Sequence, residues 1–500
     1  MFKISPKWRR KRVWMPLLVL LALAAFSARP LWLIGHAALT DRDERRPEAA
    51  GIVDDASRLN ATRMAEVWDL PADEAAAEAG LRQILVEAAR RKRPVSIAGA
   101  RHSMGGQTIA PDGVQINMLT HARMSLAAPR VLHVQTGALW SQVIAFLEPL
   151  GLSPLIMQSN CDFSVGGSLS VNCHGWQFDQ PPIAASVRSF HIMLADGTVR
   201  NCSRSENEEL FQAALGGYGL FGVLLDADLQ VTDNEHYLVE QYAQPTADFP
   251  TAWNTHLQPL GEIGMGLGRL SIDADHFLDR SLLYVMRRSP AAKDEPPTLA
   301  LPAGYGIARP VFLASIDSDA GKALRWAAES SLLTHFTQRS FWRNQLLNQP
   351  VEFFENRTEA TTDLLQEYFV PPARLLDFVQ ALREIVPRNH ANLLNLTIRD
   401  VRRGDDGILR FATQDVMSLV LLYHVSRTNP PDLAYVRLTQ ESVEAALRCG
   451  GGYYLPYRLD ATAEQFRRAY PLADKFFALK RKYDPDERFQ NAFYQKYGRP

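Results

Sequence analysis

The sequence predicts an α+β chain of two packed units behind an N-terminal hydrophobic targeting or anchor helix. Three observations predict this. Helical and strand-like segments alternate through residues 74–231. Residues 234–460 change character, becoming aromatic and proline-punctuated with long β-type runs, so they form a second domain with a sheet. The first carboxylate of the chain is Asp41, after a basic block and an apolar run. At 500 residues, 46% hydrophobic and 22% charged, the composition is globular and excludes wholesale disorder. Lys+Arg 54 against Asp+Glu 55 leave a net charge of -1, so no overall basic field attracts nucleic acid. Four cysteines are too few for a disulfide scaffold.

Lys3, Lys7, Arg9, Arg10, Lys11 and Arg12 precede the apolar run Val13 to Phe26, and a second apolar stretch runs from Leu31 to Leu39. Basic and apolar residues are segregated along the chain, the pattern of an export signal and not of an amphipathic helix. Ala25-Phe26-Ser27 offers a small-x-small cleavage site; uncleaved, Val13 to Leu39 is long enough to span a bilayer. Positive charge inside then places residues 1–12 in the cytoplasm and the chain beyond about residue 40 outside it, on the periplasmic side in a bacterium. Residues 1–40 are therefore read as signal or anchor, and the mixed-charge stretch 41–63 as a linker.

From Asp73 to Arg91 the residues Leu81, Ile84, Leu85 and Ala88 share one face, a helix. Pro94 to Ala98 is a short strand ending in the glycine-containing turn Gly99 to Gly106. Val114 to Met118 and Val131 to Val134 are further strands, and Leu139 to Leu147 is a helix closed by Pro149 and Gly151. A loop of small residues, Gln158 to Gly175, leads to the strand Val187 to Leu194 and an Asp196-Gly197 turn. The helix Asn207 to Leu215 and the strand Val223 to Val231 complete residues 64–233. Leu393 to Val401 and Val416 to Val425 are strands of the second domain. In residues 461–500, Thr462 to Lys482 is one helix with Phe466, Tyr470, Phe476, Phe477 and Leu479 on its apolar side.

Two loops carry the chemistry. In Gly99-Ala100-Arg101-His102-Ser103-Met104-Gly105-Gly106-Gln107, small residues after a strand let backbone N–H groups converge on an anion such as a pyrophosphate, with the His102 imidazole in reach. The alternative is a surface turn with a lone histidine. In Ser164 to Gly175, closely approaching backbone and serine hydroxyls suit further phosphate or ribityl contacts, against a tight turn at a domain junction. Cys161, Cys173 and His174 match no metal-ligand spacing, so no metal is assigned. Gly217-Tyr218-Gly219-Leu220-Phe221-Gly222 fits GxGxxG, but it follows a helix and feeds a strand, the reverse of a Rossmann turn.

In this order the segments resemble the FAD-binding domain of the vanillyl-alcohol oxidase / p-cresol methylhydroxylase (PCMH-type) family. Thr136-Gly137-Ala138-Leu139-Trp140 and Asn207-Glu208-Glu209-Leu210-Phe211 take part in the match, which covers about residues 65–233. The resemblance implies a two-subdomain FAD-binding domain, an antiparallel cap or substrate domain over 234–460, and a return of 461–500 to the FAD domain. It implies FAD joined covalently through His102, although Arg101 stands where many relatives carry glycine. Ala100, Arg101, Ser103 and Gln107 are implied on the pyrophosphate side; Ser159, Ser164, Gly166, Gly167, Ser170 and His174 along FAD; Val223 and Leu224 at the adenine; Asn491 at the flavin. Ser159 stands in place of the acid that cytokinin dehydrogenases use as base.

In the second domain, Asn395-Leu396-Thr397-Ile398-Arg399 is similar to the Glu-x-Arg strand of alditol oxidases, with Thr397 replacing the acid. Tyr454-Leu455-Pro456-Tyr457-Arg458 is similar to their His-Trp-x-Lys element. Arg399 and Arg458 are then the candidates for positive charge near the flavin, and Tyr454, Tyr457 or Glu367 for the substrate proton. The expected activity is FAD-dependent oxidation of a CH–OH donor (an alcohol, sugar lactone or polyol-like molecule), with O₂ or a membrane quinone as acceptor. A catalytically silent flavin-binding or interaction module, or an envelope Ser/His hydrolase, is the alternative.

Overall fold

The computed structural model describes residues 30–290, 298–301, 305–332, 339–427 and 433–499. The basic block and the first apolar run, on which the targeting expectation chiefly rests, lie outside the described residues. Residues 30–40 form a helix, α1. Among the described residues no helix is long and apolar enough to cross a membrane.

Residues 41–63, expected as a linker, instead pack onto the body of the molecule. A hairpin of β1 (Ile52–Val53) and β2 (Thr62–Arg63) forms there, and the Ala56 N–H donates to the Arg101 and Ser103 carbonyls. Next, β3 (Glu66–Asp69), β4 (Val95–Ala98) and β5 (Val114–Asn117) make a three-stranded parallel sheet in the order β3-β5-β4. Parallel pairing requires a crossover, which α2 (Glu74–Arg90) provides. Asp73 caps it by accepting the Ala76 N–H at 3.0 Å. Its buried stripe Ala77, Leu81, Leu85 and Ala88 packs with Val95, Val114 and Ile116.

The neighbouring sheet is antiparallel, in the order β10-β9-β11-β7-β6 with β8 on the far end of β11. Its strands are β6 (Met124–Ala128), β7 (Val131–Gln135), β8 (Leu152–Pro154), β9 (Val187–Met193), β10 (Val199–Ser203) and β11 (Val223–Asp233). Helices α3 (Trp140–Leu147), α4 (Val165–Val171) and α5 (Glu208–Ala214) lie between them in sequence. The small-residue loop 158–175 thus contains a helix that the glycines hid: Ser164 caps α4 by accepting the Gly167 N–H.

The second domain is built on an eight-stranded antiparallel sheet in the order β15-β12-β14-β13-β17-β18-β16-β19. The strands are β12 (His236–Pro245), β13 (Ile263–Leu270), β14 (Arg280–Arg288), β15 (Ser340–Trp342), β16 (Thr361–Val370), β17 (Asn392–Val401), β18 (Val416–Ser426) and β19 (Gly452–Tyr453). Between them run α6 (Phe249–His256), α7 (Tyr305–Leu313), α8 (Asp319–Ala327), α9 (Arg343–Leu347), α10 (Leu375–Arg388) and α11 (Leu433–Arg448). Helix α10 packs on one sheet face, where Phe378 meets Tyr368 at 5.4 Å between ring centroids. Side chains alternate along a strand, so Leu365 and Glu367 point to the other face.

The single C-terminal helix expected over 462–482 is two, α12 (Ala463–Ala469) and α13 (Ala473–Tyr483), before α14 (Ala492–Tyr497). Pro471 is the cause: it forces Tyr470 out of the helical region, to φ -126 and ψ 80. The chain then returns to the first sheet, where the Val95 N–H donates to the Arg488 carbonyl and the Gln490 N–H to Val95.

Candidate functional site

Between the loops of the first half and the free face of the large sheet lies a cavity of about 1000 Å³. Strand register sets its cap wall. Glu367 pairs with Val420, Val420 with Thr397, and Thr397 with Arg269, so one row crosses β16, β18, β17 and β13, and all four line the cavity. Along β17 the same alternation brings Asn395, Thr397 and Arg399 to the cavity. Asn395 Oδ1, Thr397 Oγ1 and Arg399 Nε are buried there without a hydrogen-bond partner.

Glu367 is the hub. Its Oε1 meets His174 Nε2 at 2.5 Å and accepts the Ser418 hydroxyl at 2.5 Å, and its Oε2 accepts the Tyr457 hydroxyl at 3.2 Å. Burial pushes the Glu367 carboxyl up, but His174, Arg399 and Ser418 together outweigh it and hold it below the usual glutamate range. The Tyr457 phenol is driven well up, first by burial and then by Glu367, so it stays protonated. Burial lowers the Arg399 guanidinium while Glu367 raises it. A carboxylate, a phenol, an imidazole and a guanidinium therefore share one buried corner.

Arg458 does not join them. Its guanidinium pairs with Asp460 through Nε at 2.8 Å and Nη2 at 3.0 Å and lies 5.8 Å from the Tyr435 ring, away from the cavity lining. The expectation that it faces the flavin is corrected by this local pairing.

The opposite wall is the first loop. Ala100, Arg101, His102, Ser103 and Gln107 all line the cavity. Arg101 sits at φ 56, in the left-handed region, a conformation that turns neighbouring N–H groups toward one side. His102 Nε2 lies 3.2 Å from the Asp162 carbonyl, and its ring stacks on Phe163 at 4.2 Å. Burial lowers its pKa, with Asp162 opposing, so the imidazole is neutral at neutral pH. Gln107 acts as a tie: its Nε2 donates to the Leu455 and Tyr457 carbonyls and its Oε1 accepts the Gly105 N–H. The flavin-side loop is thereby fixed to the segment that carries Tyr457.

Ser159, Ser164, Gly166, Gly167, Ser170, His174 and Leu224 also line the cavity. Val223 and Asn491 do not. Val223 packs among Leu81 and Val114. Asn491 supports from behind, donating to the Gln107 and Tyr218 carbonyls at 2.9 and 2.8 Å.

Three observations test whether this wall fits FAD. Ser103 Oγ, Thr108 Oγ1, Ser159 Oγ and His174 Nδ1 are buried polar atoms without a partner in the chain, awaiting one. A Cβ on Gly99 would lie 1.9 Å from Ser164 Oγ, and one on Gly166 2.8 Å from the Thr136 Cβ, so the backbone at both glycines runs close against its neighbours with no room for a side chain. Apolar Ile97, Met118 and Leu224 floor the same wall. Hydroxyls, close backbone and an apolar floor suit phosphate, ribityl and ring respectively, and the residues fit the cofactor.

Sequence reasoning missed the contribution of residues 45–58, because alternating charge reads as a linker. Asp55 lines the cavity. Its Oδ2 accepts the Gly106 N–H at 2.7 Å and Asn60 Nδ2 at 2.9 Å; its Oδ1 accepts from Ser57. Asp55→Ala leaves the buried Gly106 N–H unsatisfied and is expected to cost about 1–3 kcal/mol in urea unfolding. Burial pushes the Asp55 carboxyl up to about 6 from 3.8. A raised carboxyl favours the fold fully below the unfolded value and loses that contribution as pH rises through about 6. The gap between wild type and Asp55→Ala should therefore narrow across that window. A gap that widens with rising pH would count against the assignment.

Comparison with known proteins agrees with the cofactor fit. Residues 73–203 match the family described as FAD binding domain. The chain is 28% identical over 207 residues to an uncharacterized oxidoreductase of the fasciation locus of Rhodococcoides fascians, covering 40% of this chain and 46% of that protein. It is 30% identical over 177 residues to cytokinin dehydrogenase 2 of Arabidopsis thaliana, 35% of each chain. To L-gulonolactone oxidase of Bos taurus it is 22% identical over 431 residues, 83% of this chain and 92% of that one. The match thus spans less than half the length of the first two relatives. With the match and the cradle together, residues 73–203 carry an FAD-binding domain, and the chain is similar to FAD-linked oxidoreductases.

Proposed function

We propose that the chain is an FAD-dependent oxidase or dehydrogenase that oxidises a CH–OH donor in the cavity between the flavin loops and the cap sheet, outside the cytoplasm. The observation that carries the reading is the buried corner of Glu367, Tyr457, His174 and Arg399 facing that cavity. FAD, held by the loop of Ala100 to Gln107 and by Ser159, Ser164 and Ser170, would supply the two-electron oxidation by hydride transfer, with O₂ or a membrane quinone as the final acceptor. The chain supplies the rest. Tyr457 Oη, its own proton donated to Glu367 Oε2, keeps lone pairs free to accept a hydrogen bond from a donor hydroxyl. As the C–H bond breaks, the hydroxyl proton moves to Tyr457 Oη and the phenol proton to Glu367. Arg399 places a fixed positive charge beside this corner, where it would stabilise alkoxide character on the donor oxygen as its proton leaves. The neutral, half-buried His102 is proposed as the point of covalent attachment.

The test is an absorption spectrum of the purified full chain, repeated after acid precipitation, followed by anaerobic mixing with alcohols, sugar lactones and polyols. Yellow that stays in the pellet for wild type and leaves it for His102→Ala is the expected result for attachment. Bleaching of the flavin band by at least one CH–OH donor is expected for the activity. A flavin that dithionite bleaches and no such donor does would overturn the reading in favour of a silent flavin-binding module.

A further inference from the structure

Exposed apolar side chains line part of the cavity's rim, beside the charged Arg45, Glu48 and Glu355. Among the side chains lining the cavity, Ile307 on α7 is 50% exposed and Phe354 37% exposed. Inward from them, Val311, Phe312 and Phe353 continue the apolar wall. Arg309, two residues after Ile307, holds the rim together. It pairs with Asp41 through Nε and Nη2, both at 2.6 Å, and its Nη1 donates to the carbonyls of Glu352, Phe353 and Glu355, which flank Phe354. The paired guanidinium holds the Asp41 carboxyl below the ordinary range.

Asp41 directly follows α1. On that helix Leu31, Trp32 and Leu39 are 68, 64 and 80% exposed. Single exposed apolar side chains are commonplace. Here Ile307 and Phe354 line the cavity on either side of the Arg309 contacts, and α1, which carries the other three, runs into Asp41, the partner of Arg309. Immediately N-terminal to α1 the sequence carries the apolar run Val13 to Phe26 behind a block of Lys and Arg. An apolar run ended by basic residues partitions into a bilayer, with its cations among the headgroups. The helix leaving that run ends on the cavity rim.

We propose that the rim formed by α1, Ile307 and Phe354 rests on a lipid bilayer, so that the cavity opens toward the membrane and takes up molecules dissolved in it. The ligand class is thus a lipid-soluble molecule, entering between Ile307 and Phe354. This inference rests on the proposed function for what the cavity does and narrows its donor or acceptor to a lipid-soluble one; the test reads orientation alone, so it can fail while the reading of the reaction stands.

Orientation is measured with the full chain in phosphatidylcholine–phosphatidylglycerol vesicles carrying doxyl-labelled lipid. The four native cysteines, Cys161, Cys173, Cys202 and Cys449, are buried, so an introduced surface thiol is the preferred site for a fluorophore. Labels at Ile307→Cys and, separately, Phe354→Cys test the rim. Leu39→Cys reports the anchor side, and Glu384→Cys, on α10 behind the sheet, reports the far side. The expected result is quenching at 307 and 354 that approaches the value at 39 and exceeds that at 384 severalfold. Quenching at 39 alone would mean that the chain is tethered with its cavity turned away, and would overturn the proposal. Absence of quenching at all four positions would overturn it too.

Discussion

Glu367→Gln is expected to slow donor-dependent flavin reduction by about 10²–10⁴-fold, the range for removing a proton-handling group, with FAD retained. The carboxylate gathers the Tyr457 hydroxyl, the Ser418 hydroxyl and the His174 ring from three separate segments. Glutamine keeps the shape but offers one acceptor oxygen, and its NH₂ opposes at least one of these donors. Arg399 also loses the nearby negative charge. Stopped-flow reduction under nitrogen gives the rate, and the flavin spectrum confirms loading. A variant that reduces at the wild-type rate would remove Glu367 from the reaction. Because the Glu367 carboxyl is held below 4.5, its ionised form supports the fold above that pH, and the support is lost as pH falls through its lower folded value. Acid unfolding of wild type should therefore be steeper below about pH 4.5 than that of Glu367→Gln, which has no charge to lose.

Gly137→Ala should be the most damaging single-methyl change in the FAD-binding half. A Cβ there would lie 1.7 Å from the Met118 carbonyl oxygen and 2.6 Å from that of His121. Both are backbone atoms, so no side chain can swing away. The strand end cannot retreat either: Thr136 accepts the Gly166 N–H at 2.7 Å and Ala138 accepts the Val165 N–H at 2.8 Å, fixing residues 136–138 to the start of α4. One of these two seams must open. A loss of about 3 kcal/mol, at the upper end for overpacking, is expected in chemical unfolding, along with loss of bound flavin as the wall around Thr136 and Gly166 shifts. A variant that unfolds with wild type and keeps its colour would show that the seam yields more easily than its geometry suggests.

Much of this architecture was legible in the sequence where local rules govern. Helix α2 follows from its apolar stripe and its Asp73 cap, and β17 and β18 from long β-type runs. Backwards order around Gly217 to Gly222 excluded a Rossmann turn, and in the structure α5 does precede it and β11 follows. Readings that depended on partners distant in sequence fared less well. Nothing near Asp55 signals that its carboxylate caps a loop 51 residues away. Arg458 aligned with a functional position by motif, but an aspartate two residues on takes its guanidinium. Glu367 stood in the sequence only as one of three candidates for the substrate proton, within a stretch, Leu365 to Pro371, similar to a cap-domain entry; its partners come from residues 174, 418 and 457, which only the tertiary fold brings together.

The stitching of residues 488–491 into the first sheet and the Gln107 loop bears on when this protein can mature. Val95 exchanges backbone bonds with Arg488 and Gln490, and Asn491 braces Gln107 across 384 positions of sequence. Those contacts do not exist until residues 488–491 have been synthesised. A ribosome or a translocon delivering the chain N-terminus first therefore presents an unbraced cofactor loop until residues 488–491 emerge. A cofactor loop that needs this brace is completed only then, and a chain stopped short of residue 488 would have its first sheet unfinished. If the chain is exported, the cofactor must meet it on the far side or travel with a chain already folded, so its colour would tell which route it took.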